Sequence, residues 1–99
     1  MDRKRGENTM TRDEFIAWAT ANGWKPDRWS HLQKTEIRHE PDPNTGAKVQ
    51  YPVRYRYKLS RIAVRLERRL GLLGWVRIRS GYFSKLSLTP DGKLSGLVR

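Results

Sequence analysis

Between residues 48 and 58 apolar and polar side chains alternate without a break. Val49, Tyr51, Val53, Tyr55 and Tyr57 fall on one side, and Gln50, Pro52, Arg54, Arg56 and Lys58 on the other. A period of two is the pattern of a strand with one buried face. Pro52 places an edge or a bulge near its start, because proline has no N–H for a sheet ladder. Upstream, Leu32 to Glu40 reads as a more polar strand, and Pro41-Asp42-Pro43-Asn44-Thr45-Gly46 is a dense turn signal. The two strands are expected to form a β-hairpin.

The pattern elsewhere is helical. Phe15, Trp18, Ala19 and Asn22 recur at helix spacing behind Thr11-Arg12-Asp13-Glu14, in which Thr at the N-cap and Glu three residues on form a capping box. This predicts a helix over 12–21, stopped by Gly23. Trp18, Trp24 and Trp29 read as core or core-edge packing. A second helix is expected over 61–71, capped by Ser60 and ended by Gly71 and Gly74. At about 100° per residue, Ile62, Ala63, Leu66 and Leu70 share one arc, and Arg61, Arg65, Arg68 and Arg69 share another. Glu67 and Val64 lie outside both. Trp75-Val76-Arg77-Ile78-Arg79 alternates again, with its two arginines on one face. Tyr82–Leu88 is a strand candidate in which Tyr82 and Phe83 cannot both be buried. Thr89-Pro90-Asp91-Gly92 is a turn, and Lys93–Val98 closes a final hairpin. The expected fold is α+β, a small single domain over 11–99 of order α-β-β-α-β-β, with helices packed on an antiparallel sheet. Residues 1–10 read as a disordered basic tail, and Met10 as an alternative start. Within the tail, Arg3-Lys4-Arg5 is read as a solvated terminus in preference to a groove-binding arm.

Charge changes this picture. The 99-residue chain has a formal net charge of +11. Residues 1–50 are nearly neutral, while residues 51–80 carry Arg54, Arg56, Lys58, Arg61, Arg65, Arg68, Arg69, Arg77 and Arg79 against the single acid Glu67. An ordinary solvated surface mixes signs; this segment does not. Arginine's planar fork of donors also suits phosphate better than the point charge of lysine. Residues two apart on a strand are about 6.6–6.8 Å apart, and one DNA strand carries a phosphate about every 3.4 Å. Arg54, Arg56 and Lys58 therefore make a ladder of backbone-like dimensions, the arginine stripe follows it, and Arg77 and Arg79 make a second ladder.

Other chemistry finds little support. The chain has no cysteine, hence no disulfide framework or thiolate metal site. It has no apolar run of membrane-spanning length and no secretory leader, which points to a cytoplasmic protein. His39, Glu40 and Asp42 flank a proline-rich turn without rigid ligand spacing, so no metal is expected. Pro90-Asp91-Gly92-Lys93 has the opening of a restriction-type nuclease motif but lacks its second acid and lysine. No glycine-rich phosphate loop is present, and no cofactor is expected. Tyr51, Tyr55 and Tyr57 share a face with Val49 and Val53, so core packing is favoured over base stacking. A non-enzymatic accessory or regulatory protein is expected, with nucleic acid as partner, DNA ahead of RNA, and duplex DNA first. The alternative is a phage-type protein inhibitor or adaptor, anti-CRISPR-like in size, whose arginine face docks on a nucleoprotein or an acidic protein. Membrane binding is not expected.

Overall fold

A computed structural model describes residues 9–99. Its elements are α1 (Arg12–Ala21), β1 (Lys25–Pro26), β2 (Leu32–Pro41), β3 (Lys48–Leu59), β4 (Ala63–Arg69), β5 (Trp75–Tyr82), β6 (Ser87–Leu88) and β7 (Leu94–Ser95). Strands β1 to β5 form an antiparallel meander in sequence order, and β6 and β7 pair separately. The expected α+β class holds in outline, as a small single domain with one helix and a five-stranded antiparallel sheet.

The helix forms where its capping box requires. Thr11 Oγ1 accepts from the Glu14 N–H at 3.1 Å, and a Glu14 carboxylate oxygen accepts from the Thr11 N–H at 2.8 Å. The reciprocal pair satisfies two otherwise orphaned donors, and losing such a cap typically costs ~1 kcal/mol. One helix turn apart, Phe15 and Ala19 are its fully buried residues. Phe15 meets the edge of Tyr57 from β3 at 4.9 Å between centroids and Phe83 at 5.6 Å. Trp24 lies 4.1 Å from Tyr57, and Leu32, Val64 and Leu86 complete the core. Met10 also packs there. The expected role of Arg3-Lys4-Arg5 lies outside the described residues.

The hairpin of β2 and β3 is present with ten register pairs, from Leu32↔Tyr57 to Pro41↔Lys48. Asp42 closes its turn, with Oδ1 accepting from the Asn44 N–H and the carbonyl from the Gly46 N–H at 2.7 Å. β4 pairs with β3 only from Tyr55 to Leu59. Over residues 48–54, β3 therefore has β2 alone as neighbour, and it is an edge strand where Pro52 sits. The paired stretch from Thr35↔Arg54 to the turn projects as a two-stranded arm, about 24 Å long at ~3.4 Å per residue. This arm accounts for the elongated outline of 60 × 30 × 24 Å.

The second helix is not present. Residues 63–69 form β4 in the middle of the sheet. Val64, outside both helical arcs, is 1% exposed, while Ile62, assigned to the apolar arc, is 60% exposed. The run satisfies both periods, because Ala63, Leu66 and Leu70 sit at helical spacing while Val64 and Leu66 alternate with Arg65, Glu67 and Arg69. Pairing with β3 decides between them: ladder hydrogen bonds and inward-facing Val64 and Leu66 outweigh the weak helical preference. The next strand begins at Trp75, where the second alternation starts, but the strand expected over Tyr82–Leu88 does not form as one piece. β5 runs through Tyr82, a 3-10 turn covers Phe83–Lys85, and β6 is two residues long. Tyr82 is exposed and Phe83 buried, the split expected for adjacent aromatics.

α1 and the β6–β7 hairpin cover the same face of the sheet. Trp18 Nε1 donates to the Gly92 carbonyl at 2.9 Å, which ties the two together. The C-terminal segment approaches β5 at two glycines. A Cβ on Gly96 would collide with the Lys85 carbonyl oxygen, and one on Gly81 would lie 3.2 Å from the Gly96 carbonyl oxygen.

Tyr57 provides a test of this core. Burial pushes its phenol up to about 12, against an ordinary 10.0. The unfolded chain ionises first, so the contribution of neutral Tyr57 is complete below pH 10 and is lost as pH rises towards 12. Phenolate absorbance should show one tyrosine titrating late, together with unfolding, and Tyr57→Phe should extend the folded range to higher pH.

Candidate nucleic-acid interface

The strand registers sort the side chains into two faces. On the inner face, towards α1, lie Leu32, Val53, Tyr55, Tyr57, Leu59, Val64 and Leu66. The outer face of the central strands carries Arg54, Arg56 and Lys58 from β3, Arg65, Glu67 and Arg69 from β4, and Trp75 and Arg77 from β5. No helix or strand among the described residues covers it.

At the middle of this face sits a buried carboxylate. Glu67 is 4% exposed. Arg56 donates to Glu67 Oε1 from Nε at 2.9 Å and from Nη2 at 2.5 Å, and Arg65 Nη1 lies 3.6 Å from Oε2. Arg77 is its cross-strand neighbour on β5. A charge this buried is stable only when paired and hydrogen-bonded. Arg56 also stacks on Trp75, 4.4 Å from the ring centroid, while Arg54 and Arg69 stand 5.7 and 5.9 Å from the same ring. The indole's negative face attracts all three guanidiniums.

A tight loop rims the face. Asp27 Oδ1 accepts from the backbone N–H groups of Trp29 and His31 at 2.8 and 3.0 Å, and Oδ2 accepts from Gln33 at 2.9 Å. Burial raises the Asp27 pKa, but these hydrogen bonds together outweigh it and hold the carboxyl below its ordinary value. Gln33 accepts in turn from Arg54 at 2.9 Å, fixing that guanidinium. Behind the loop, His31 Nδ1 accepts from the Leu59 N–H at 3.2 Å. Burial depresses its pKa, opposed by Asp27 and aided by Arg56 and Lys58, so a neutral ring suits its acceptor role. Trp29, expected in the core or at its edge, is instead 68% exposed at the tip of the loop. The two indoles Trp29 and Trp75, with Asp27, Arg28, Gln33, Arg54 and Arg56, line a recess of about 390 Å³.

Of the nine basic residues singled out in the sequence, six share the outer face: Arg54, Arg56, Lys58, Arg65, Arg69 and Arg77. The other three do not. Arg61 lies in the β3–β4 turn, and Arg68 faces inward opposite Tyr55. Arg79 faces inward opposite Leu66, because β5 carries a bulge at Ile78. Beyond the bulge, Ser80 and Tyr82 turn outward, opposite Arg65 and Ala63. Two aromatics seven residues apart, Trp75 and Tyr82, thus flank Lys58, Arg65 and Arg77. Trp75, Trp29 and the hub role of Glu67 were not foreseen. The signal available was Glu67 itself, the lone acid of a basic segment.

Among the described residues no group of histidine, aspartate and glutamate is placed to hold a metal, and no helix is long and apolar enough to cross a membrane. Comparison with family models, with curated proteins and with solved structures finds no match for this chain.

The coupling at the hub is measurable. Glu67→Gln leaves Arg56 without its counter-charge and should destabilise the fold by about 2–4 kcal/mol in equilibrium denaturation. Arg56→Met combined with Glu67→Leu removes both charges and should recover most of that loss. Additive effects of Arg56→Met and Glu67→Leu, measured alone and together, would mean that the two residues are not coupled.

Proposed function

We propose that this protein binds nucleic acid on the open face of its sheet, as an accessory or regulatory factor and not as an enzyme. One observation carries this: six cations and two aromatics share a face whose one carboxylate on the described central strands, Glu67, is already neutralised by Arg56 and Arg65. Such a face offers phosphates several charge-assisted contacts and releases counterions on binding. Trp75 and Tyr82 add stacking surfaces beside the cations. The preference for duplex DNA leaned on an arginine-striped helix. With those arginines on a sheet, both duplexes and single strands remain candidate ligands.

Affinity should fall steeply with salt. With about five phosphates contacted, the slope of log K against log salt should be roughly −3.5 for a single strand and −4.5 for a duplex. Lys58→Glu with Arg69→Glu should reduce that slope by about two and affinity by at least about tenfold at low salt. Both side chains are exposed, so the thermal transition should stay in place. Electrophoretic shifts over a salt series, with duplex, single-stranded DNA and RNA competitors, read this out. Binding indifferent to salt would overturn the proposal.

A second reading is favoured by one feature. The β4–β5 connection, Leu70-Gly71-Leu72-Leu73-Gly74, holds Leu72 and Leu73 out in solvent at the corner of the basic face. An exposed apolar knob beside arginines suits an inhibitor or adaptor docking on an acidic protein or nucleoprotein. Under this reading a partner survives nuclease treatment in a pull-down and is lost with Leu72→Ser and Leu73→Ser. Under the first reading those changes leave nucleic-acid affinity unaltered.

A further inference from the structure

The recess between Trp29 and Trp75 has features that phosphate contact alone does not require. Its volume of about 390 Å³ is at the small end of ligand sites, which run from roughly 300 to 1,000 Å³. Two of its walls are indoles, and one of them, Trp29, is 68% exposed. A large aromatic held out in water usually belongs to a contact surface.

Trp29 is also held rigidly. Its own N–H donates to Asp27 Oδ1, the Ser30 N–H donates to the Asp27 carbonyl at 3.0 Å, and the Asp27 N–H donates to the His31 carbonyl at 2.8 Å. The following residue, Ser30, has φ of 66°, the only non-glycine with positive φ among the described residues. A backbone strained in this way persists only when its surroundings fix it, and such strain gathers at binding sites. Arg28 reaches towards the same indole, 6.0 Å from its centroid. The loop backbone that carries the ring therefore has little entropy left to lose on contact.

The polar rim has unused capacity. The Asp27 carboxylate accepts three hydrogen bonds and has about four acceptor sites. The Gln33 amide donates one of its two N–H groups to Asp27. An acceptor and a donor thus stand beside two aromatic walls, with Arg54 fixed by Gln33 at the edge. That is the chemistry of a nucleobase: a flat π surface with donors and acceptors around it, joined to a phosphate. A base inside a duplex is stacked on both faces and cannot enter such a recess.

We infer that the Trp29–Trp75 recess receives one unpaired nucleobase, which makes the open face a platform for single strands. The inference rests on the nucleic-acid reading above and goes further by choosing the strand state. Stacking of a base on an aromatic side chain is worth about 5- to 150-fold in affinity.

The test compares three ligands by fluorescence anisotropy: an oligo(dT) of about eight nucleotides, an abasic oligomer with the same backbone, and a duplex of equal length. The wild type should bind oligo(dT) about tenfold or more tightly than the abasic strand. Trp29→Ala should reduce that difference at least about fivefold while leaving abasic and duplex affinity, and the thermal transition, unchanged. Trp29→Phe should keep most of it. Equal binding of oligo(dT) and the abasic strand by the wild type would overturn the inference and leave the nucleic-acid reading standing. So would an equal loss for all three ligands in Trp29→Ala. If none of the three ligands binds, the nucleic-acid reading itself falls, and this inference with it.

Discussion

The outer face depends on one buried ion pair. Lys58 and Arg65 stand directly opposite on neighbouring strands, about 5 Å apart at the backbone, and two like charges at that distance repel by roughly 1–3 kcal/mol at the dielectric of a protein surface. Six cations on three adjacent strands would strain the sheet that carries them. Glu67 relieves this from within. It takes two hydrogen bonds from Arg56, lies within ion-pair distance of Arg65 and sits opposite Arg77. Trp75 does the rest by offering its ring to Arg54, Arg56 and Arg69. Arg56 belongs to both clusters, so it serves as framework, while Lys58, Arg65, Arg69 and Arg77 remain exposed to meet a ligand.

The two faces of the sheet divide the work. The inner face meets α1 and the C-terminal hairpin, where Phe15, Tyr57, Val64 and Leu86 form the core. Fixing β3 and β4 from that side is what holds the outer side chains in register. The projecting arm contributes differently. Residues 35–54 carry as many acids as bases, and its inner face is laced by Arg38 with Glu40 and by the Arg38 hydrogen bond to Tyr55. The excess charge belongs to the body of the sheet and not to the arm.

Phosphate contact and base contact make separate demands, and the proposed binding mode assigns them to separate places on the face. Under the proposed function, the exposed cations across the middle would give affinity without sequence information. The recess at the Trp29 end adds shape, stacking and hydrogen-bond capacity, which a phosphate ladder lacks. Asp27 links them, because the carboxylate that shapes the Trp29 loop also positions Arg54 through Gln33.

Local signals were legible where they pointed one way. The capping box marked α1 to the residue, because its hydrogen bonds span only three positions. The alternation over 48–58 gave β3 and its cationic face, because a strand's two sides follow from the chain alone. Residues 61–71 satisfied two periods at once, and only pairing with β3 selected the strand that brings Arg65 and Arg69 beside Arg56. Arg79 left the patch, and Tyr82 joined it, through a bulge at Ile78 that no local pattern announces. Trp29 came to the surface because Asp27 gathers the loop around itself. Charge and alternation along the chain therefore established that one strand face is cationic. Which strands lie beside it, how its repulsion is relieved and where an aromatic recess opens were settled by long-range strand pairing, whose contacts join residues that the sequence keeps far apart.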